Sequence, residues 1–340
     1  MKRFDFLQWC AALVVGQLAA ACPALAQALD PERDDVRAFI EETHKAHGIE
    51  RDTLRSILAL AQIQPPIIEA ISRPAERVRP WHEYRDIFMT EARIAAGVNF
   101  WQDHRARLER VAADTGVPPE ILVGIIGVET FYGRIIGRYR VLDALATLAF
   151  EYPPRGAFFS RELAQFLLLA REQGFEIETP VGSYAGAMGL PQFIPSSYRA
   201  YAVDGDGDGR VDLWGSVEDI FASVANYFGA HGWRAGEPVV APAVIGGGDP
   251  KALAQQGLSA DTTVGALWSA GIGLAGPAPS HPDAAAGLFV LEHEDGPRYW
   301  AGFHNFYVIT RYNRSLMYAL AVHQLGTAIR ARIPDDADAD

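Results

Sequence analysis

Gly124-Ile-Ile-Gly-Val-Glu-Thr-Phe-Tyr-Gly133 follows Val117-Pro118-Pro119-Glu120, and together they specify a helix with an acid near its end. Proline in a first turn and an early acid mark the start. Leu122, Ile125, Ile126 and Glu129 recur at i, i+3, i+4 and i+7 and therefore share one face. That puts a carboxylate where the pattern calls for an apolar side chain. Desolvation there disfavours the charged form and raises the pKa, as a general acid requires near neutral pH. Gly124 and Gly127 weaken a helix, so they point to close approach of another segment or a ligand. The same placement also fits a glutamate that emerges into solvent or pairs with an arginine, because structural ion pairs perturb pKa values too.

The chain has 340 residues, 49% of them hydrophobic and 21% charged. That is enough for two or more domains and a large core. A formal net charge of -12, with no dense basic patch, argues against a nucleic-acid partner. Met1-Lys2-Arg3, the apolar run from Leu7 to Ala20 and Ala24-Leu25-Ala26 read as an export signal cleaved after Ala26. Cys10 and Cys22 are the only cysteines, so a chain cut there has no disulfide and relies on packing. The expected product is a soluble periplasmic monomer. The alternative is an outer-membrane lipoprotein, because Leu18-Ala-Ala-Ala-Cys22 resembles a lipoprotein box and Cys22 would then carry the lipid.

Residues 27–80 read as an N-terminal helical domain, with Val36, Phe39 and Ile40 followed by Leu54, Ile57 and Leu58 at helical spacing. Residues 81–236 form the expected core. Helix is expected from Trp81 to Ala113, over Leu142–Leu148, from Arg161 to Gln173 and from Val217 to Phe228, while Gly182 to Asp212 carries motifs rather than elements. Residues 237–303 are rich in Gly, Pro and Ala. They read as a small α+β insert with strands at Val239–Ile245 and Leu288–Leu291 and a hairpin turn at Glu294-Asp295-Gly296. A final helix from Arg314 to Arg332 returns to the core within 304–333, and 334–340 is an acidic tail.

Asp204-Gly-Asp-Gly-Asp-Gly-Arg-Val-Asp212 places carboxylates at positions 1, 3, 5 and 9 of a loop. Gly209 allows the sharp turn and Arg210 offers a backbone carbonyl, as in an EF-hand-like loop for a hard cation with oxygen ligands. The loop spans 204–218. Its twelfth position is Gly215, so Glu218 is the expected replacement for the closing glutamate. Four crowded aspartates repel one another unless a cation neutralises them. Calcium in a structural role is expected, and no organic cofactor.

Gly127-Val-Glu-Thr-Phe-Tyr-Gly133, Gly182-Ser-Tyr-Ala-Gly-Ala-Met-Gly-Leu-Pro-Gln-Phe193, the Asp-Gly loop, Asn226-Tyr-Phe228 and Asn305-Phe-Tyr-Val-Ile-Thr-Arg-Tyr-Asn313 occur in this order. Together they resemble the B-type lytic murein transglycosylases from about Trp81 to Gly326. The resemblance implies a mainly α (α+β) protein with a lysozyme-like helical core, an N-terminal helical domain, a small β domain and a calcium-binding loop. It also implies cleavage of the MurNAc-β-1,4-GlcNAc bond of peptidoglycan glycan strands, with 1,6-anhydro-MurNAc ends. By the same resemblance Glu129 is the catalytic acid and base. Tyr84, Arg155, Ser183, Gln192 and Tyr227 then contact the glycan, together with Tyr307 or Tyr312. Tyr152-Pro-Pro-Arg155 departs from the family's usual Tyr-Pro-Arg-Arg, so one of two substrate-contacting arginines is missing.

Glycosidases ordinarily use two carboxylates. Asp143 and Glu151 are the nearest candidates for a partner to Glu129, and capping or ion pairing is the expected role of Asp143. A single acid suffices if the substrate's own 2-acetamido group and C6 hydroxyl take part. A hydrolytic muramidase and a non-catalytic peptidoglycan-binding scaffold remain the alternatives.

Overall fold

The helix Pro119–Thr130 is buried almost all round. Every residue from Ile121 to Thr130 is shielded from solvent except Glu129, which is partly exposed. The stripe of Leu122, Ile125 and Ile126 is therefore half of the pattern, because Ile121, Val123 and Val128 are equally buried. A helix apolar on all sides belongs inside a protein, not on its surface. Pro119 sits in its first turn, and Gly116 at φ 71° ends the preceding helix Arg105–Thr115.

The computed structural model describes residues 27–72, 79–247, 249–254 and 257–334. The export signal, Cys22 and residues 335–340 of the acidic tail lie outside these described residues. The chain divides into two compact units. One takes its described residues from 79–132 and 221–334, the other from 27–72 and 133–220. The division thus crosses the 81–236 segment after Tyr132 and again within the helix Val217–Ala230, after Ile220.

The first unit holds the Pro119–Thr130 helix. The single helical stretch expected from Trp81 to Ala113 is three helices, Trp81–Asp86, Glu91–Asp103 and Arg105–Thr115. Thr90 caps the second by accepting from the Arg93 amide, and its helix is broken from the third at His104. Helix His304–Tyr312 leads to helix Leu316–Arg330, which Ser315 caps through the Tyr318 amide.

Helix Leu316–Arg330 packs directly on Pro119–Thr130. A Cβ on Gly326 would lie 2.1 Å from the Glu120 carbonyl oxygen, and one on Gly124 would lie 2.6 Å from the Val322 carbonyl oxygen. Glycines on both helices thus allow backbone-to-backbone contact, which is the close approach expected of Gly124.

A five-stranded antiparallel sheet completes this unit. Its order is Thr262–Thr263, Ala285–His293, Gly296–Phe303, Val240–Ile245, Ile272–Leu274. His293 pairs with Gly296, so Glu294 and Asp295 form a two-residue hairpin loop and Gly296 takes φ 112°. Leu288, Phe303, Ala241 and Ile272 pack with Val264 and Leu267 of the helix Val264–Ser269 in a small core of their own. The strands at 262–263 and 272–274 are two or three residues long, too short to leave a periodic pattern.

The second unit contains helices Asp34–His47, Arg51–Ala59, Pro65–Ser72, Val141–Glu151, Gly156–Gln173 and Pro195–Tyr201. The stretch expected to hold motifs alone therefore includes a two-turn helix at 195–201. Asp143 is buried. It accepts from Arg140 Nη2 at 2.7 Å, Arg140 Nε at 2.9 Å and the Gln62 amide at 2.9 Å. Glu151 pairs with Arg33 at 2.5 Å. Both acids are committed: Asp143 to a local pair with Arg140 and to the Gln62 amide, and Glu151 to Arg33 at the start of the first N-terminal helix.

Gly326→Val is expected to lower stability by about 3 kcal/mol, because its Cβ would force the two helices apart. Thermal or urea unfolding of the variant checks this, and an unchanged midpoint would contradict the backbone contact.

Candidate active site

Glu129 lies in the last turn of Pro119–Thr130. Tyr318, from the first turn of Leu316–Arg330, donates its hydroxyl to Glu129 Oε1 at 2.5 Å. The glycine contacts bring the helices close enough for this bond. Burial pushes the Glu129 carboxyl up to about 7, while the bond from Tyr318 pulls it down. Burial also raises the Tyr318 and Tyr84 hydroxyls well above the ordinary phenol value, and the Glu129 charge adds to both. At neutral pH Glu129 is thus a partly protonated carboxylic acid among neutral phenols. Because Oε1 accepts from Tyr318, the acid proton belongs on Oε2.

The chain leaves this helix through a strained turn. Phe131 has φ 51° and Tyr132 φ 57°, followed by Gly133 at φ 83°. A left-handed conformation costs a residue with a Cβ roughly 1–2 kcal/mol. Strain of this kind gathers at functional sites, where the surroundings over-determine it.

In the same unit Tyr84 is half-buried against Trp81 and Phe88. Tyr312 is buried, packs at a tilt against the Tyr227 ring with centroids 4.8 Å apart and raises the Tyr318 hydroxyl's pKa further. Tyr227 gives its hydroxyl to the Arg311 carbonyl at 2.6 Å. Tyr307 points elsewhere. Its hydroxyl lies against Gly287 of the sheet, 2.1 Å from where a Cβ would be, and it feels Asp261. Of the two C-terminal tyrosines, Tyr312 is therefore the one beside the Glu129–Tyr318 pair, whereas Tyr307 lies against the sheet. Helical geometry explains this, since five residues apart on His304–Tyr312 means different faces.

The second unit carries the other expected glycan contacts. Arg155 lies over the rings of Phe158 and Phe159 at 4.8 and 5.0 Å. Ser183 Oγ accepts from the Ala187 and Ala185 amides at 3.1 and 3.2 Å, which shapes its own turn. Gln192 adopts φ 53° and donates to the Gly189 carbonyl at 2.8 Å.

The Asp-Gly loop also belongs to the second unit. Asp204, Asp206 and Asp219 bring carboxylate oxygens within 4.8 Å of one another. Asp219, the neighbour of the expected Glu218, is the helix acid that joins this cluster. Neighbours on a helix point about 100° apart, and Asp219 is the one turned inward, 1% exposed, accepting from the Gly205 and Asp212 amides. Amides of Gly209, then Gly207 and Asp208, hold the Asp204 carboxyl below its usual range. Asp208 accepts from the Arg210 amide, and Asp212 accepts from those of Trp214 and Gly215. These two order the turn and stand outside the three-acid cluster. Three clustered carboxylates are an oxygen donor set suited to a hard divalent cation.

Residues 31–327 match the family described as Transglycosylase SLT domain. The chain belongs to that family. Its B-type membership is equally plain, since it is 43% identical to the Escherichia coli membrane-bound lytic murein transglycosylase B, over 87% of this chain and 82% of that one. It is also similar to the Escherichia coli lytic transglycosylase Slt35, solved in complex with calcium, at 40% identity and a TM-score of 0.79. The match covers 93% of this chain and 99% of that one. Pseudomonas aeruginosa SltB3, solved in complex with NAG-anhNAM-pentapeptide, is 34% identical at a TM-score of 0.78, covering 86% and 78%. The chain is thus a lytic transglycosylase, an enzyme, and the expected mainly α class with a lysozyme-like core and a small sheet holds.

Tyr318 was not legible in this transglycosylase's sequence. Tyr318 sits among apolar residues of a buried helix, where a tyrosine reads as core. The signal for Asp219 was present, as a second acid beside Glu218 at the start of a helix.

Tyr318→Phe removes the bond that lowers the Glu129 pKa. The carboxyl should then titrate above 7, and the alkaline limb of the rate profile should move up by roughly one unit. A limb that stays in place or moves down would contradict the contact.

Proposed function

We propose that this enzyme cleaves the MurNAc-β-1,4-GlcNAc bond of peptidoglycan without water, with Glu129 acting first as acid and then as base. The observation that carries this reading is the Glu129 carboxyl, partly exposed yet desolvated enough to titrate near 7, and held by Tyr318. Protonated Oε2 gives its proton to the leaving glycosidic oxygen. The carboxylate that results is stabilised by the Tyr318 hydroxyl, a bond that strengthens as charge develops. The 2-acetamido carbonyl of MurNAc stabilises positive charge at C1, and the Glu129 carboxylate then removes the C6 hydroxyl proton as that oxygen attacks C1. The acid proton is thereby restored and the product is the 1,6-anhydro ring.

A one-carboxylate mechanism agrees with the roles of Asp143 and Glu151, both bound in structural ion pairs. Tyr84, Tyr227 and Tyr312 are the aromatic contacts proposed for the glycan in one unit. Arg155, Ser183 and Gln192 are those proposed in the other. The murein-directed names of the relatives and the anhydro-muropeptide bound to SltB3 support this substrate. So does the export signal ending at Ala26, which would deliver the soluble enzyme to the periplasm, with lipidation at Cys22 as the membrane-attached alternative.

Calcium is proposed for Asp204, Asp206 and Asp219, supported by the calcium complex of Slt35. Its part is structural. It neutralises three acids that otherwise repel and fixes the loop onto the helix Val217–Ala230.

Glu129→Gln should abolish muropeptide release, at least 1,000-fold on the order expected for losing the sole acid and base. Wild-type digests should end in anhydro-MurNAc by mass spectrometry, and hydrated reducing ends would overturn the reaction. The same variant has a stability signature. The folded pKa of Glu129 lies above its unfolded value, so its contribution is fully present below about 4.5 and is lost as pH rises through about 7. Glutamine carries no charge to bury. Glu129→Gln should therefore be more stable than wild type at pH 8, by up to about 3 kcal/mol, and gain nothing at pH 4.

EDTA should lower the Tm of the wild type, and added calcium should restore it. Asp219→Asn should blunt that response, whereas Glu218→Gln should retain it. A Tm indifferent to EDTA would remove calcium from the account.

A further inference from the structure

Arg93 is 4% exposed, and its guanidinium donates to a carbonyl, not to a carboxylate. Nη1 lies 2.5 Å from the Gly127 carbonyl oxygen, two residues before Glu129 on the same helix. That carbonyl also accepts from the Phe131 amide at 3.2 Å, so one oxygen closes the helix and receives the arginine. The guanidinium carbon stands 4.5 Å from the centre of the Phe131 ring and 5.3 Å from that of Phe88. Burying a cation in this way is costly, and the cation sits where a helix end concentrates negative charge.

The same helix supports the rest of the strained turn. Arg93, Gly97 and Phe100 lie at i, i+4 and i+7 on Glu91–Asp103 and share a face. The Phe100 ring packs against Tyr132 at 5.4 Å. The Tyr132 hydroxyl wedges between Gly97 and Gly127, where added Cβ atoms would lie 2.4 and 2.5 Å from it. This face therefore grips both left-handed residues, Phe131 and Tyr132, immediately after Glu129–Thr130.

We propose that Arg93 is a positioning residue for Glu129. It anchors the Gly127 carbonyl and the Phe131 ring so that the last helical turn ends in the left-handed Phe131–Tyr132 pair and holds the Glu129 carboxyl against Tyr318. Arg93 touches no reacting atom in this arrangement. The inference rests on Glu129 being the acid and base of the reaction.

The test compares Arg93→Met, Arg93→Lys and Glu129→Gln on solubilised glycan strands, with folding checked by circular dichroism and Tm. Arg93→Met keeps volume and loses both the donor and the planar cation. Its kcat should fall at least 10-fold with KM within twofold of wild type. Arg93→Lys keeps a cation and a donor to Gly127, so it should recover part of that loss. The pH profile separates positioning from mere folding. The groups facing Glu129 are the hydroxyls of Tyr318 and Tyr84, both of which titrate far above neutral pH. A turn released from Arg93 lets the carboxyl leave its buried bond and hydrate, so the alkaline limb should move down from near 7 towards the ordinary carboxylate range. Loss of a nearby cation acting through space would move the limb up, and that result overturns the proposal. Wild-type kcat and an unmoved limb in folded Arg93→Met also overturn it. If Arg93→Met does not fold, Arg93→Lys carries the same test, since loss of the planar stack should still lower kcat and move the limb down. Failure here with an inactive Glu129→Gln sinks the positioning role alone. An active Glu129→Gln sinks the catalytic reading beneath it.

Discussion

Backbone contact between Pro119–Thr130 and Leu316–Arg330 is the constraint on which the proposed active site rests. Gly124 and Gly326 face carbonyl oxygens of the opposite helix, and no side chain fits between. At that separation the first turn of one helix lies beside the last turn of the other, and Tyr318 meets Glu129. The acid's raised pKa follows from the same contact, since burial is its largest cause. Stability and chemistry thus share one origin: the packing that makes the core also desolvates the carboxyl.

Two opposing effects set that carboxyl's proton affinity. Burial favours the neutral acid, whereas the Tyr318 hydroxyl favours the carboxylate. In the proposed mechanism a lone group gives a proton and takes one back in the same turnover, so it needs both forms within reach. Burial alone would make a poor acid, and a hydrogen bond alone would leave a permanent carboxylate. Their balance near neutrality suits a single-carboxylate mechanism better than it suits either half of a two-carboxylate pair.

Much of this was legible in the chain. Pro119, the apolar run through Val128 and the two glycines located the helix. Glu294-Asp295-Gly296 located the hairpin, and the spaced aspartates from Asp204 located the loop. Periodicity misled where a pattern passed through a break: Trp81 to Ala113 is three helices because Thr90 and His104 interrupt it. Linear spacing points to Glu218, whereas the direction of a side chain on a helix turns Asp219 inward. Tyr307 and Tyr312 could not be separated in the sequence for the same reason.

The sequence by itself determined much of the local chemistry: where the Pro119 helix starts, where glycine is required, and which acid stands in the motif proposed to react. Those properties depend on neighbours a few residues away, and they carry the family resemblance. Only the tertiary structure decided which groups meet across long separations in the chain. Tyr318 lies 189 residues from Glu129, and Arg93 lies 34 from Gly127. No local pattern encodes such a pairing, because proximity across that distance is a consequence of packing. The identity of Glu129 was written in the chain, and its pKa was written by the fold.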